Sequence, residues 1–164
     1  MADKQSFTPD EWTTILMSPT IAGMAITAAD PNGLWGMLKE SFASGAALVQ
    51  AKTDPHANPL VKAVVADFEN ADSRGELREA LKTRFAGATP DEVVPKALAV
   101  LADVARILDA KAPNDAAGFK AWLEDLSLNV AEASKEGGFL GFGGVRVSDV
   151  EKATLADIQK TLST

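Results

Sequence analysis

Four times in this chain a hydroxyl residue stands three places before a glutamate: Thr8-Pro9-Asp10-Glu11, Ser73-Arg74-Gly75-Glu76, Thr89-Pro90-Asp91-Glu92 and Ser148-Asp149-Val150-Glu151. This spacing constrains the fold more than any other feature, because it is the signature of a reciprocal helix cap. The hydroxyl accepts from the amide of the third helical residue, and the glutamate accepts from the amide of the cap residue itself. After Thr8 and Thr89 a proline occupies the first helical position, where its missing N–H costs nothing. Phe7 and Trp12 flank the first box at the positions of a hydrophobic staple. Ser18-Pro19, Asp30-Pro31 and Asn58-Pro59 read as three further cap-plus-proline starts, with an eighth near Asn114 or Asp115.

The stretches opened by these signals repeat their apolar residues at helical spacing. Leu34, Leu38 and Phe42 form one stripe, with Trp35 beside it. Leu60, Val64 and Phe68, flanked by Val61 and Val65, form another, and Leu77, Leu81 and Phe85 a third. Phe119, Trp122, Leu123, Leu126 and Val130 make a fourth, and Leu155, Ile158 and Leu162 a fifth. Val93 to Leu108 is apolar nearly all round, with Lys96, Asp103 and Arg106 as a narrow polar stripe, which predicts the central and most buried helix. Pro95 near its start predicts a shifted beginning or a kink. Val145-Arg146-Val147 is the one strand-like fragment, too short to matter alone. The expectation is an all-α compact bundle of seven or eight short helices in a single domain spanning 1–164.

Composition excludes several classes of function. The formal charge of −7 leaves no general basic surface for phosphate contacts, so nucleic acid is not expected as a partner. With no cysteine there is no disulfide, no thiolate nucleophile and no Cys-rich zinc site. Met1–Ser6 is polar, unlike a signal peptide. The runs Ile21–Ala29 and Ala97–Leu108 are too short or too interrupted for a span of about 20 residues. A cytoplasmic protein without membrane or cofactor is the expectation.

Three matches recur in order along the chain. Thr8-Pro-Asp-Glu11 returns as Thr89-Pro-Asp-Glu92, Gly33–Glu40 is echoed by Gly118–Asp125, and Lys62–Phe68 by Lys152–Ile158. They divide the chain into two pseudo-symmetric repeats, 7–87 and 88–164, whose apolar faces would pack together into one core. A helix beginning Val147-Ser-Asp-Val-Glu-Lys152 after a glycine turn, in a duplicated helical chain, resembles the tellurite-resistance TerB-like family. The resemblance covers Gly143 to Ile158, with an echo at Asp30 to Gly33, and implies a metal-linked stress role. This chain has Gly143-Gly144 where that family commonly has Asp-Gly, which removes a ligand, so metal binding is not carried over. The chain is also similar to a bacterial family ending in the same glycine-rich loop and helix.

Function, where the sequence suggests any, falls on Gly137–Gly144, five of whose eight residues are glycine, and on the residues just after it. Phe139, Leu140 and Phe142 could plug the end of the bundle or anchor a protein partner. Gly143, Gly144, Arg146 and Ser148 could receive an anion at the start of the last helix. His56 reads as a loop histidine between prolines, and Asp67, Glu69 and Asp72 as a solvated acidic helix end. Asp30-Pro31-Asn32-Gly33 lacks the later ligands of a calcium loop. Trp12, Trp35, Trp122, Met17, Met24 and Met37 read as core, or as the lining of a site for an apolar molecule between the repeats. No residue is assigned a catalytic or metal-binding role. The expectation is a non-enzymatic interaction or accessory protein with a protein partner, of unassigned oligomeric state. A small-ligand-binding protein is the alternative.

Overall fold

The structure, a computed structural model, describes residues 1–29, 52, 54, 56–136 and 147–164, with only the backbone of 133–136. Among these residues it is all-helical. After a short 3-10 turn at Lys4–Ser6 come α1 (Pro9–Ala29), α2 (Pro59–Glu69), α3 (Ala71–Arg84), α4 (Pro90–Lys111), α5 (Pro113–Glu136) and α6 (Asp149–Leu162). The starts at Thr8, Asn58, Thr89 and Ser148 fall where the capping signals put them. The Asp30-Pro31 start and the Leu34-Leu38-Phe42 stripe lie outside the described residues.

The first cap forms as its letters dictate. The Thr8 N–H donates to Glu11 Oε2 at 2.8 Å, and the Glu11 N–H returns to Thr8 Oγ1 at 3.3 Å. The Phe7 and Trp12 rings close the staple, with centroids 5.9 Å apart. Ser18-Pro19, however, is not a second start, because α1 runs through it unbroken. Proline removes the amide that would have served the Ile15 carbonyl. The Ser18 hydroxyl takes its place, donating to Ile15 O at 2.7 Å in a fully buried position. Thr14 and Thr27 do likewise toward Asp10 O and Gly23 O. These residues are polar in composition, yet their hydroxyls are spent on their own helix.

That substitution lets α1, rather than α4, be the central helix. It buries residues on all sides, from Trp12, Ile15 and Leu16 to Ile21, Ala22, Ala25 and Ile26, and packs against each of the other five helices. The expectation that Val93–Leu108 is the most buried segment is therefore corrected. α4 buries Val93, Ala97, Val100, Leu101, Val104 and Leu108 on one side and leaves Ala99 and Ala102 exposed. Alanine counts as apolar in a sequence pattern but costs little in water. As one continuous helix, Pro9–Ala29 is also long and apolar enough to cross a membrane by length and composition, which the shorter run Ile21–Ala29 was not. Most of it is covered by the other helices.

One further start differs from expectation, at Ser73, while the one expected near Asn114 falls beside that residue. Ser73 lies inside α3, whose cap is Asn70, the Asn70 side chain accepting from Asp72 N–H at 2.9 Å. α5 begins at Pro113, leaving Asp115 buried in its first turn. There Asp115 Oδ2 accepts from the Ala2 N–H at 2.7 Å, and its backbone carbonyl accepts from Asn58 Nδ2 at 3.0 Å. Asn58 meanwhile caps α2 through its side-chain oxygen, accepting from the Leu60 and Val61 N–H groups. A Cβ at Gly118 would stand 2.6 Å from that same Asn58 Nδ2, so the close approach of α2 to α5 requires glycine there.

The fold makes two stability predictions. Ser18→Ala leaves the Ile15 carbonyl buried without a donor and should cost about 1–3 kcal/mol. Thr13→Ala, which removes an exposed hydroxyl bond to Pro9 O, should stay within about 0.5 kcal/mol. Chemical denaturation of the two variants checks the contrast. Gly75→Ala and Gly118→Ala should act in opposite directions. A Cβ at Gly75 meets nothing within 4 Å, so alanine should stabilise α3 by about 0.5–1 kcal/mol. At Gly118 the same change displaces the Asn58 cap and should lower the melting temperature.

Candidate functional site

Of the residues singled out for binding, Phe139, Leu140, Phe142, Gly143, Gly144 and Arg146 lie outside the described residues. Ser148 is described, and its groups are engaged. Its N–H donates to Glu151 Oε2 at 2.8 Å and its Oγ to the same oxygen at 2.9 Å, while the Glu151 N–H returns to Ser148 Oγ at 3.2 Å. Glu151 is buried, so the N-terminus of α6 is closed by a carboxylate of its own. Asp149 adds a second negative charge in the first turn, 3.6 Å from Lys152.

In sequence, α5 and α6 flank residues 137–146. Ala117 and Ala121, from the first half of α5, line one cleft together with Leu162 at the end of α6. Leu128 in the second half of α5 is 43% exposed, and Val150 at the start of α6 is 51% exposed. Apart from Met1, these are the exposed large apolar side chains among the described residues. Val147 turns inward and packs against the core. On the first half of α5, Phe119 is buried and meets Trp122 edge-on, with centroids 5.3 Å apart.

The other candidates resolve into structural roles. The His56 N–H donates to Asp54 Oδ1 at 2.8 Å in an exposed turn. Asp67, Glu69 and Asp72 do not converge. Glu69 pairs with Lys52, and Asp72 stands at the capped start of α3. Asp67 is the exception to the expected solvated face, because its carboxylate ties together the 3-10 turn, α1 and α2. It accepts from Lys4 Nζ at 2.9 Å and from Trp12 Nε1 at 2.6 Å, with its side chain only 17% exposed. Trp12 and Met17 are core, and Met24 is half-buried. Trp35 and Met37 lie outside the described residues. No group of three or more His, Asp or Glu side chains is placed to hold a metal among the described residues.

The cleft between the end of α4, the first half of α5 and the end of α6 has a volume of about 340 Å³. Its polar groups face one another: Lys120 Nζ donates to both carboxylate oxygens of Asp109 at 2.8 Å. The sequence held no signal for this pair, or for Asp67 with Trp12, since both depend on which helices become neighbours. No family model matches the chain, and no curated protein or solved structure matches it.

Three carboxyls are held below their ordinary values. Burial alone would raise Asp67, but the hydrogen bonds from Lys4 and Trp12 and the charge of Lys4 outweigh it. The Lys111 ammonium and the Thr8 amide lower Glu11, and the Thr89 amide lowers Glu92. A lowered carboxyl contributes stability that is complete above its unfolded value, about pH 4, and is lost as the pH falls through its folded value. Asp67→Asn should therefore melt below the parent at neutral pH, with the gap closing below about pH 4. Thermal melts across this range check it; a gap independent of pH would assign Asp67 no ionic role.

Proposed function

We propose that this protein is a non-enzymatic interaction module that engages a protein partner at the end of the bundle where α5 and α6 bracket residues 137–146. The observation that carries this reading is the placement of Leu128 and Val150. Among the described residues, apart from Met1, the large apolar side chains left exposed are these two, one on each of these helices. The intervening sequence adds Phe139, Leu140 and Phe142. Clustered apolar and aromatic anchors are what a protein interface uses, whereas scattered ones carry no such meaning.

The closed Ser148 cap favours this reading over an anion site at the same helix start, because a phosphate there would compete with Glu151 for the hydroxyl and the amide. It also bears on a metal-linked role in the manner of TerB-like proteins: Glu151 is committed to Ser148, and Asp149 has Lys152 beside it. The proposed address is cytoplasmic. The reading includes an internal duplication, supported by the matching boxes that open the two longest-packed partners, α1 and α4. The Lys-Ala-x-x-Ala-Asp match falls within α2 and α6.

A photo-crosslinking residue placed at Val150 or at Leu128 in cells tests the proposal. The expected outcome is one discrete adduct from both positions, lost when Phe139 and Phe142 are replaced by alanine in a variant that keeps its melting temperature. A probe at Ala99 on α4 should give no such adduct. Equal labelling from all three positions, or none from α5 and α6, would overturn the reading.

A further inference from the structure

We propose that α3 is a second docking surface, and that its occupant is an acidic helical segment of a partner protein. The inference does not rest on the α5–α6 reading, since α3 makes its main contacts with α1 and α2. It starts from where the chain leaves positive charge without a counterpart. Among the described residues, Lys4, Lys52, Arg106, Lys111, Lys120 and Lys152 each hold a carboxylate. Lys62 is also engaged, and Lys96 acts on Glu92. Arg74, Arg78, Lys82 and Arg84 are exposed and hold none, and all four are on α3. Lys160 on α6 is the other lysine or arginine in this state among the described residues.

Arg74, Arg78 and Lys82 follow one another at four-residue steps, about 6 Å apart along the helix, and so form a single stripe. Like charges at this spacing repel, and the pairs Arg74–Arg78 and Arg78–Lys82 are both of this kind. Asp72 and Glu76 repeat the pattern with the opposite sign. Arg74 stands in the first turn, where the helix dipole disfavours a cation, although Lys82 and Arg84 in the last turn are helped by it. A helix ordered for its own stability would alternate these charges, and α3 buries only Ser73 and Leu77. In a chain of net charge −7, carboxylates to pair with the stripe were not scarce. The arrangement fits a counter-charge supplied from outside.

The shape of the charge selects the occupant. Asp72, Glu76 and Glu79 form an acidic stripe about a third of a turn round the helix from the basic one. A nucleic acid or an anionic membrane laid on this face would meet both stripes and be repelled by one. A second helix meets a stripe with a stripe, placing carboxylates against Arg74, Arg78 and Lys82. At Gly75, between the two stripes, nothing stands within 4 Å of where a Cβ would be, so the approach is open. Exposed ion pairs make such docking weak, fast and salt-sensitive.

The test is an amide chemical-shift titration of the whole protein with two helical peptides of about 20 residues and identical composition. One carries glutamates at every fourth position, and the other has them scattered round the helix. The stripe peptide should perturb α3, bind at least about tenfold more weakly at 0.3 M than at about 0.02 M salt, and outbind its isomer. Binding should vanish in the triple variant Arg74→Gln, Arg78→Gln, Lys82→Gln. It should return when the three are changed to Glu and the peptide carries lysines. Equal binding of the two peptides, perturbation centred away from α3, or equal binding of single-stranded RNA or anionic vesicles at α3 would overturn the proposal. Should the triple variant melt lower than the parent, the comparison of the two peptides on the parent protein still decides.

Discussion

The structure depends on one hydrogen bond that replaces another. A helix that passes through the middle of a bundle must satisfy every backbone group internally, because no water reaches it. Pro19 breaks that condition at Ile15, and the Ser18 hydroxyl restores it from three residues away. With that carbonyl satisfied, α1 can be surrounded by α2 to α6 and supply the shared core. Without it the chain would have to expose the break to solvent, and the helices around it would lose their common surface. Thr14 and Thr27 extend the same device along α1, so that a helix with several hydroxyls behaves as an apolar rod.

Much of the local structure is legible in the sequence because it is decided locally. The boxes at Thr8, Thr89 and Ser148, the Asn58-Pro59 cap and the Phe7–Trp12 staple each involve residues within five positions of one another. The apolar stripes of α2, α5 and α6 face the core as their periodicity predicts, with Phe68, Trp122 and Leu155 half-buried at its margin. Errors arise where two local signals compete. Ser73 has the letters of a cap, but Asn70 lies upstream and secures the Asp72 amide first. Ser18-Pro19 has the letters of a start, but the same serine is equally able to repair a continuous helix, and burial selects the repair. The ranking of α4 above α1 failed because alanines inflate an apolar pattern and back-bonded threonines deflate one.

Binding features are legible to a different degree. The stretch from Gly137 to Gly144 stands out by composition, whereas the exposure of Leu128 and Val150 follows only from how the helices pack. The charges of α3 are visible as letters, but their lack of partners is a property of the whole surface. Asp67 is the reverse case, a residue that reads as solvated and is instead a junction. The N-terminal stretch holding Lys4 and Trp12 must meet the end of α2 before either can donate to its carboxylate, and no spacing rule contains that information.

The two-sided amide of Asn58 couples events that are separate in most helices. Its oxygen closes the start of α2, while its nitrogen reaches the Asp115 carbonyl across a gap that only Gly118 leaves open. Capping and docking thus share one side chain: the amide that closes the start of α2 also holds it against α5. Its partner α3 begins one residue after α2 ends, so the pair should leave and rejoin the bundle as one cooperative unit. Amide exchange would then report a common opening rate across both helices, distinct from that of α1. The unit bearing most of the unpaired cations is thus also the one joined to α5 through the Asn58 side chain.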